Sequence, residues 1–434
     1  MEEGLSHVGG QTMAHPLGVS ALLLCCSFIL FGNRRYVVPA LLILIFAIPS
    51  AQRVVLLSID FSFLRIAILA ALVKAIFKGE SNQLRLARPD RLLIFWMLWG
   101  IIAYGLLIGT MAAALTRTGY MIDAVGAYFV GRIYVRSWDE LRPLVRFLGF
   151  ASIPVVMVFL IERSTGRNMF SVFGGISEFT LVREDKLRCQ GPFSHPIMAG
   201  LFWASILPFF YVLWVRREAS KLLLLLMLGS VLLIIINTAS STPVMAVILI
   251  AIGLRMFSFR QMLPLFRWLV LFTLVAAQII MEKGAAHLLA RVNVISGSTG
   301  WHRYHLIDQA LNHIGEWWLV GTRSTQHWGM GLEDVTNQYV LEGVRGGLLG
   351  MVLFVLFLMA LFKVVGNALR VCDEDEVRWI YWCAGIILFV HIFTFLSVSY
   401  FGQMVASFFL FAGVIASIST NFANDRANQQ YQLT

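Results

Sequence analysis

Apolar runs alternate with short polar segments along nearly the whole chain. Runs of this length and composition need a bilayer as their solvent. Several are shorter than the roughly 20 residues that a helix needs to cross a membrane, so flanking residues must extend them. The pattern predicts an all-α polytopic membrane protein with about 12 to 13 transmembrane helices. The runs are Leu17–Phe31, Tyr36–Ile48, Phe61–Phe77, Leu92–Met111, Gly119–Tyr134, Phe147–Ile161, Ile197–Val215, Leu222–Ile236, Val244–Leu254, Trp268–Met281, Gly347–Val365, Ile380–Phe395 and Phe401–Ile418.

The composition supports this interpretation. Hydrophobic residues make up 59% of the 434 residues, and charged residues only 13%. Soluble domains contain about 25% charged and about 45–50% apolar residues. If a chain of this length and composition were soluble, it would have too few charged residues to cover its apolar surface. We therefore predict one integral membrane domain over residues 1–434.

Lysine and arginine concentrate in alternate short loops. The net charge of the chain is +10. In a membrane protein such a charge arises from basic loops of this kind, so it gives no reason to expect a nucleic-acid partner. The positive-inside rule places these loops in the cytoplasm, with the N-terminus outside and the C-terminus inside. The polar residues 421–434 are predicted to form a disordered cytoplasmic tail. The basic loops contain Arg34, Arg35, Lys78, Arg85, Arg88, Arg91, Arg136, Arg142, Arg146, Arg216, Arg217, Lys221, Arg255, Arg260, Arg267, Lys363, Arg370 and Arg378.

Two long loops break this alternation. The first covers residues 162–196, and the second covers residues 282–346, in which we expect short helices. Both are predicted to lie outside although both are rich in Arg and His. Because long loops escape the charge rule, their charges are free to serve chemistry.

The first loop ends in a turn that leads directly into an apolar run. This turn reads Arg188-Cys-Gln-Gly-Pro-Phe-Ser-His195-Pro196. Gly and Pro force a tight turn, which places Arg188 and His195 at the N-terminal end of a helix, where anions bind favourably. The alternative is a helix-entry turn with a solvated arginine.

The second loop contains a helical pattern around Arg303. Its apolar positions recur with helical period, and Arg303 falls among them. A charge on an apolar face is costly unless it is paired, so we expect Arg303 to meet a phosphate or a carboxylate; the alternative is snorkelling at the edge of the stripe. The stripe consists of Tyr304, Ile307, Ala310, Leu311 and Ile314.

The opposite face of the same pattern carries His302, His305, Gln309 and His313. Their spacing matches no HExxH pattern and no cysteine joins them, so we expect a wet polar face and no metal.

A further candidate lies just before the late apolar run. If residues 334–339 are helical, Asp334 and Asn337 share one face. Asp334 then serves either as a general base or as an arginine partner, or it is simply an acidic residue at a helix start. Gly346, Gly347 and Gly350 predict close helix packing.

Two arginines, Arg65 and Arg132, fall within or near apolar runs. Intramembrane charges are functional candidates by default, but both lie close enough to a helix end to snorkel.

The order and spacing of these segments resemble the O-antigen polymerase and ligase superfamily, and within it the exopolysaccharide polymerase type. Thr336 stands where the ligases carry histidine, which favours a polymerase. The matching segments are the Arg188–Pro196 turn, Arg303 followed by Ala310-Leu311 and Gly321, Asn337-x-Tyr339 followed by Gly347 and Gly350, and Gly131-Arg132.

The resemblance implies a GT-C-like, metal-independent glycosyltransferase in the bacterial inner membrane that needs no cofactor. It would polymerise oligosaccharide units carried on undecaprenyl diphosphate at the periplasmic face. Membrane lipids, and chain-length regulators or export proteins, are the implied partners. A ligase that transfers glycan to lipid A core stays open, as does a flippase for lipid-linked glycans. The implied substrate-binding residues are Arg188, Arg303, Arg291, Arg323, Asn337 and Tyr339, with Asp334 as the base and His195 as its alternative.

Overall fold

The computed structural model describes residues 11–56, 59–280 and 299–433, and helices dominate it. Four short strands form two antiparallel hairpins, β1 (Arg53–Leu56) with β2 (Ile59–Ser62) and β3 (Leu181–Arg183) with β4 (Lys186–Arg188). The α-helices are α1 Pro16–Phe31, α2 Val37–Ala47, α3 Phe63–Phe77, α4 Arg88–Ile108, α5 Met111–Met121, α6 Ala127–Tyr134, α7 Trp138–Thr165, α8 Pro196–Ala204, α9 Leu207–Val215, α10 Lys221–Asn237, α11 Ser241–Met256, α12 Leu263–Ile280, α13 Thr299–Asn312, α14 Ile314–Trp317, α15 Gln338–Arg370, α16 Asp375–Thr394 and α17 Gln403–Leu433.

Seven helical segments of the described residues are long and apolar enough to cross a membrane. This confirms the prediction of an all-α, multi-pass membrane protein. Other predicted runs form shorter apolar helices, such as α1 and α10, so the finer count of 12 to 13 spans stays a prediction. The seven segments are Arg88–Ile108, Trp138–Thr165, Pro196–Val215, Ser241–Ala277, Gln338–Arg370, Asp375–Thr394 and Gln403–Gln429.

The connecting loops gather at two ends of the helix bundle. At one end, Arg34 lies 3.9 Å from Glu80 and 3.5 Å from Glu140, which joins three of the loops predicted to be cytoplasmic. At the other end, the Gln52 side chain donates to the Phe173 carbonyl at 2.6 Å and so joins two predicted outer loops. These contacts join loops that the sequence predicts on the same side, whereas the full alternation and the side of the membrane that each loop faces stay predictions.

Two predicted boundaries need correction. The second loop was expected to continue to residue 346, but α15 begins at Gln338. The last helix continues through Leu433, so residues 421–433 are helical where a disordered tail was expected.

Arg132 does not snorkel, contrary to the sequence-based expectation. Its side chain is 2% exposed and makes a bidentate pair with Asp90, with Nε–Oδ1 at 2.9 Å and Nη2–Oδ2 at 2.7 Å. The Tyr128 hydroxyl and the Ala87 main-chain N–H also donate to Asp90. Arg65 likewise pairs with a carboxylate, that of Asp123. Pairing lets charges remain within a bundle where an isolated charge is costly.

The glycine pattern at the start of α15 produces a break in the helix, and not only close packing. Gly347 has φ 67° and ψ −176°, a conformation essentially restricted to glycine. A Cβ at this position would lie 2.2 Å from the Leu319 carbonyl oxygen. The Leu348 N–H donates to the Trp318 carbonyl at 2.8 Å. The break therefore lets the segment after α14 pack directly against the main chain of α15.

Candidate anion-binding site

The turn between β4 and α8 is held in place by buried side chains from distant parts of the chain. Glu162, at the end of α7, accepts the main-chain N–H groups of Gln190 at 3.1 Å and Gly191 at 3.0 Å. The Asn168 amide donates to the Gly191 carbonyl at 2.8 Å. The Gln403 amide of α17 donates to the main-chain carbonyl of Pro192 at 2.8 Å. Since each fixing group is itself buried, the turn is a rigid platform.

Arg188 ends β4 and lies at the edge of this platform. Its Nη2 donates to the Ser240 hydroxyl at 2.7 Å, in the connection between α10 and α11. Its Nε is buried and has no hydrogen-bond partner among the described residues. A buried guanidinium N–H without an acceptor is costly, and an anionic ligand oxygen would satisfy it.

Arg183 joins the site, although the sequence did not predict it. It precedes the two-residue turn of the β3–β4 hairpin, in which Glu184 and Asp185 have φ of 51° and 59°. The positive charge of Arg183 lowers the pKa of Arg188 and of Arg303, in each case after the larger effect of burial. Arg183 therefore adds positive charge in the neighbourhood of both Arg188 and Arg303.

Arg303 lies half-buried on α13, on the same face as the buried Leu306 and Ala310. The predicted stripe is partly wrong, because Leu311 is 60% exposed and Leu306 takes its place in the core. No carboxylate accounts for Arg303: within the described part of the chain, neither it nor Arg188 has an acidic group among the charges that shift its pKa. The structure thus brings both predicted arginines under the influence of Arg183 without a neutralising partner.

His195 caps the start of α8. Its Nδ1 accepts the Ile197 main-chain N–H at 3.1 Å. Burial, and then the charges of Arg188 and Arg183, lower its pKa to about 4. The imidazole is therefore neutral near pH 7, and because Nδ1 accepts a hydrogen bond its proton resides on Nε2. In this tautomer the Nε2–H of His195 is a hydrogen-bond donor that can bind an anion. A donor at this position does not fit the role of alternative base that the sequence predicts for His195.

Asn337 and Tyr339, predicted to bind substrate, have structural partners. Asn337 is the N-cap of α15, and its Oδ1 accepts the N–H groups of Tyr339 at 3.0 Å and Val340 at 3.1 Å. Its Nδ2 donates to the Leu396 carbonyl at 3.1 Å. The Tyr339 hydroxyl donates to the Ile392 carbonyl at 2.9 Å. These polar atoms fix α15 against α16 and its following loop.

The other predicted residues have separate positions. Asp334 is exposed and lies before α15, which begins at Gln338, so the condition under which Asp334 and Asn337 would share a helix face is not met. Arg323 is exposed, and its Nε donates to the Leu107 carbonyl at 2.9 Å, near the end of α4. Arg291 lies outside the described residues.

The helices and this site define a multi-pass membrane protein with a cluster of basic side chains in its loops. We call Arg183, Arg188, His195 and Arg303 the basic cluster. The sequence matches no protein-family model, and a search of curated proteins finds no match either.

Proposed function

We propose that the chain is a metal-independent glycosyltransferase that polymerises undecaprenyl-diphosphate-linked oligosaccharide units into O-antigen or exopolysaccharide. It would act at the periplasmic face of the bacterial inner membrane, in a GT-C-like arrangement of helices. The observation that supports this proposal is the basic cluster: the positive charge of Arg183 acts on Arg188, His195 and Arg303, and within the described residues no acidic group is among the charges that shift the pKa of these three side chains.

The reaction needs stabilisation of charge on a leaving diphosphate. The acceptor hydroxyl oxygen forms a bond to the anomeric carbon of the donor, and the bond between that carbon and the diphosphate oxygen breaks. Negative charge grows on the diphosphate, where guanidinium groups bind phosphate oxygens in pairs. Fixed positive charges of this kind stabilise the transition state without reorganisation.

Each member of the cluster has a defined part in this proposal. Arg188 and Arg303 bind the diphosphate, and Arg183 adds positive charge between them. The Nε2–H of His195 donates to a phosphate oxygen. The acceptor proton passes to a carboxylate as general base, and exposed Asp334 remains the candidate for that part.

The test compares Arg303→Ala with Arg167→Ala in a strain lacking the native gene. Arg167 is a matched control because it lies in the first loop, forms an exposed pair with Glu178 at 3.0 Å and stands outside the cluster. We expect Arg303→Ala to abolish long-chain polysaccharide and to leave single repeat units on the carrier lipid. Arg167→Ala should keep the wild-type chain-length profile at equal protein level.

Three outcomes would overturn the proposal. Normal chain length in Arg303→Ala would remove the diphosphate-binding assignment. Loss of glycan only from lipid A core, with polymer intact, would indicate a ligase. Accumulation of lipid-linked repeat units on the cytoplasmic face of a deletion strain would indicate a flippase.

A further inference from the structure

A second cluster of polar side chains lies beyond the C-terminal end of α13. His313, Glu316 and His327 each place a ligand-type atom within 4.8 Å of the others. The three residues come from the junction of α13 with α14 and from the short 3-10 helix Gln326–Trp328. Both His327 and Glu316 are solvent-accessible, with side chains 54% and 40% exposed, so an ion can enter from water.

Neighbouring groups already orient two of these side chains. The Nδ1 of His313 lies 2.8 Å from the Gln309 main-chain carbonyl, which leaves Nε2 free. A ring nitrogen bonded to a main-chain carbonyl is the usual second-shell arrangement of a histidine that binds a metal through its other nitrogen. The His313 ring stacks on Trp328 at 5.4 Å between centroids, and the Trp328 indole donates to Glu316 Oε2 at 3.1 Å.

Glu316 and His327 are in hydrogen-bond contact where a metal would fit. His327 Nε2 lies 2.7 Å from Glu316 Oε2. Ligand atoms around a tetrahedral zinc ion are roughly 3.3 Å apart, given bonds of about 2.0–2.1 Å. A small rotation of two exposed side chains is therefore enough to replace this hydrogen bond with an ion.

We propose that His313, Glu316 and His327 bind one divalent transition-metal ion of the zinc class, with water completing its coordination. Two imidazoles and one carboxylate are a donor set that suits zinc and not the oxygen-preferring Mg²⁺. The ion joins the end of α13 to the segment that leads to α15. It therefore fixes the helix that carries Arg303, and it takes no part in the glycosyl transfer proposed above.

The sequence did not predict this site because its ligands do not share one helix face. His302, His305 and Gln309, expected to lie beside His313, are not part of the cluster. His305 and His302 instead lie close to Gly329 and Gly331 in the loop after the 3-10 helix.

The experiment measures metal binding by the full chain, purified in detergent with an affinity tag that contains no histidine. After removal of metal with EDTA, Co²⁺ is titrated and its visible absorption is recorded, and Zn²⁺ is then added in competition. We expect one equivalent of Co²⁺ with a tetrahedral spectrum, displaced by Zn²⁺ and unaffected by Mg²⁺. His313→Ala and His327→Ala should each weaken binding by more than the ~10–100-fold typical of losing a second-shell partner.

His302→Ala is the matched control, because His302 lies on α13, which leads to the cluster, and is not part of the cluster. It should bind Co²⁺ like the wild type, while helix content and elution volume show that all variants are folded. Equal Co²⁺ binding by the wild type and by a His313→Ala/His327→Ala double variant would overturn the proposal, as would the absence of stoichiometric binding by the wild type. Neither result depends on polymerase activity.

Discussion

The Glu162 carboxylate accepts the main-chain N–H of Gly191 at 3.0 Å in a place that water does not reach, since Glu162 is 0% exposed. The same carboxylate also accepts the Gln190 N–H. Hydrogen bonds to a charged group contribute about 1.5–3 kcal/mol each. We therefore expect Glu162→Ala to lower the free energy of unfolding by about 3 kcal/mol or more, measured by thermal unfolding in detergent.

Under the proposed polymerase function, the loss of this clamp should also shorten the polysaccharide, because the turn positions Arg188 and His195. Glu178→Ala is the control, since Glu178 lies in the same loop and its pair with Arg167 is exposed; such pairs contribute about 0–1 kcal/mol. Equal effects of the two substitutions would contradict the positioning role of Glu162.

His195 should make stability depend on pH. Its pKa is about 4 in the folded protein, compared with an ordinary value of 6.5. Between pH 6.5 and about 4, His195 therefore binds a proton in the unfolded chain but not in the folded chain. The contribution of neutral His195 to stability is fully present above pH 6.5 and is lost as the pH falls from 6.5 to about 4. The shift corresponds to on the order of 3 kcal/mol.

The His195→Asn variant isolates this effect, because asparagine retains N-cap ability without a titrating group. We expect the midpoint of thermal unfolding to fall less in His195→Asn than in the wild type between about pH 7 and about pH 4. Parallel pH profiles for the two proteins would show that burial and the charges of Arg188 and Arg183 do not keep His195 neutral.

Gly347 and Gly366 lie in the same helix and should respond oppositely to alanine. At Gly347 a Cβ meets the Leu319 carbonyl and the backbone has positive φ, so Gly347→Ala should lower stability by about 1–3 kcal/mol or more. At Gly366 nothing lies within 4 Å of a Cβ, so alanine should raise helix stability by roughly 0.5–1 kcal/mol. Thermal unfolding of the two variants checks both expectations. A Gly347→Ala variant as stable as the wild type would mean that α15 is continuous at this position.

The buried pair of Arg132 and Asp90 should be far more sensitive than the exposed pair of Arg167 and Glu178. Removing one partner of a buried pair leaves an uncompensated charge and costs about 3–5 kcal/mol. Arg132→Ala should therefore reduce the yield of folded protein strongly, whereas Arg167→Ala changes it little. The yields of monodisperse protein after detergent extraction provide the comparison. Similar yields would mean that the Asp90 carboxylate does not depend on Arg132 for its neutralisation.

The candidate site was only partly predictable. Arg188 and Arg303 were selected because one follows a tight turn before a helix and the other interrupts an apolar stripe. Arg183 was missed because its hairpin turns on Glu184-Asp185, which lacks the Asn-Gly or Asp-Gly signal of such turns. Asn337 was predicted to bind substrate because of its position in a motif, yet its side chain caps the start of α15. Asparagine before an apolar helix is a common N-cap, so the sequence already contained the signal for this structural role.

The sequence by itself determined that this chain is a helical, multi-pass membrane protein. Length, hydropathy and the alternation of basic loops act locally, so they can be read along the chain. Only the tertiary structure decided that Arg132 pairs with Asp90, that Glu162 holds the Gly191 turn and that Arg183 lies within electrostatic reach of Arg303. These relationships join residues far apart in the chain, and no periodicity in the sequence specifies which distant charges meet when helices pack.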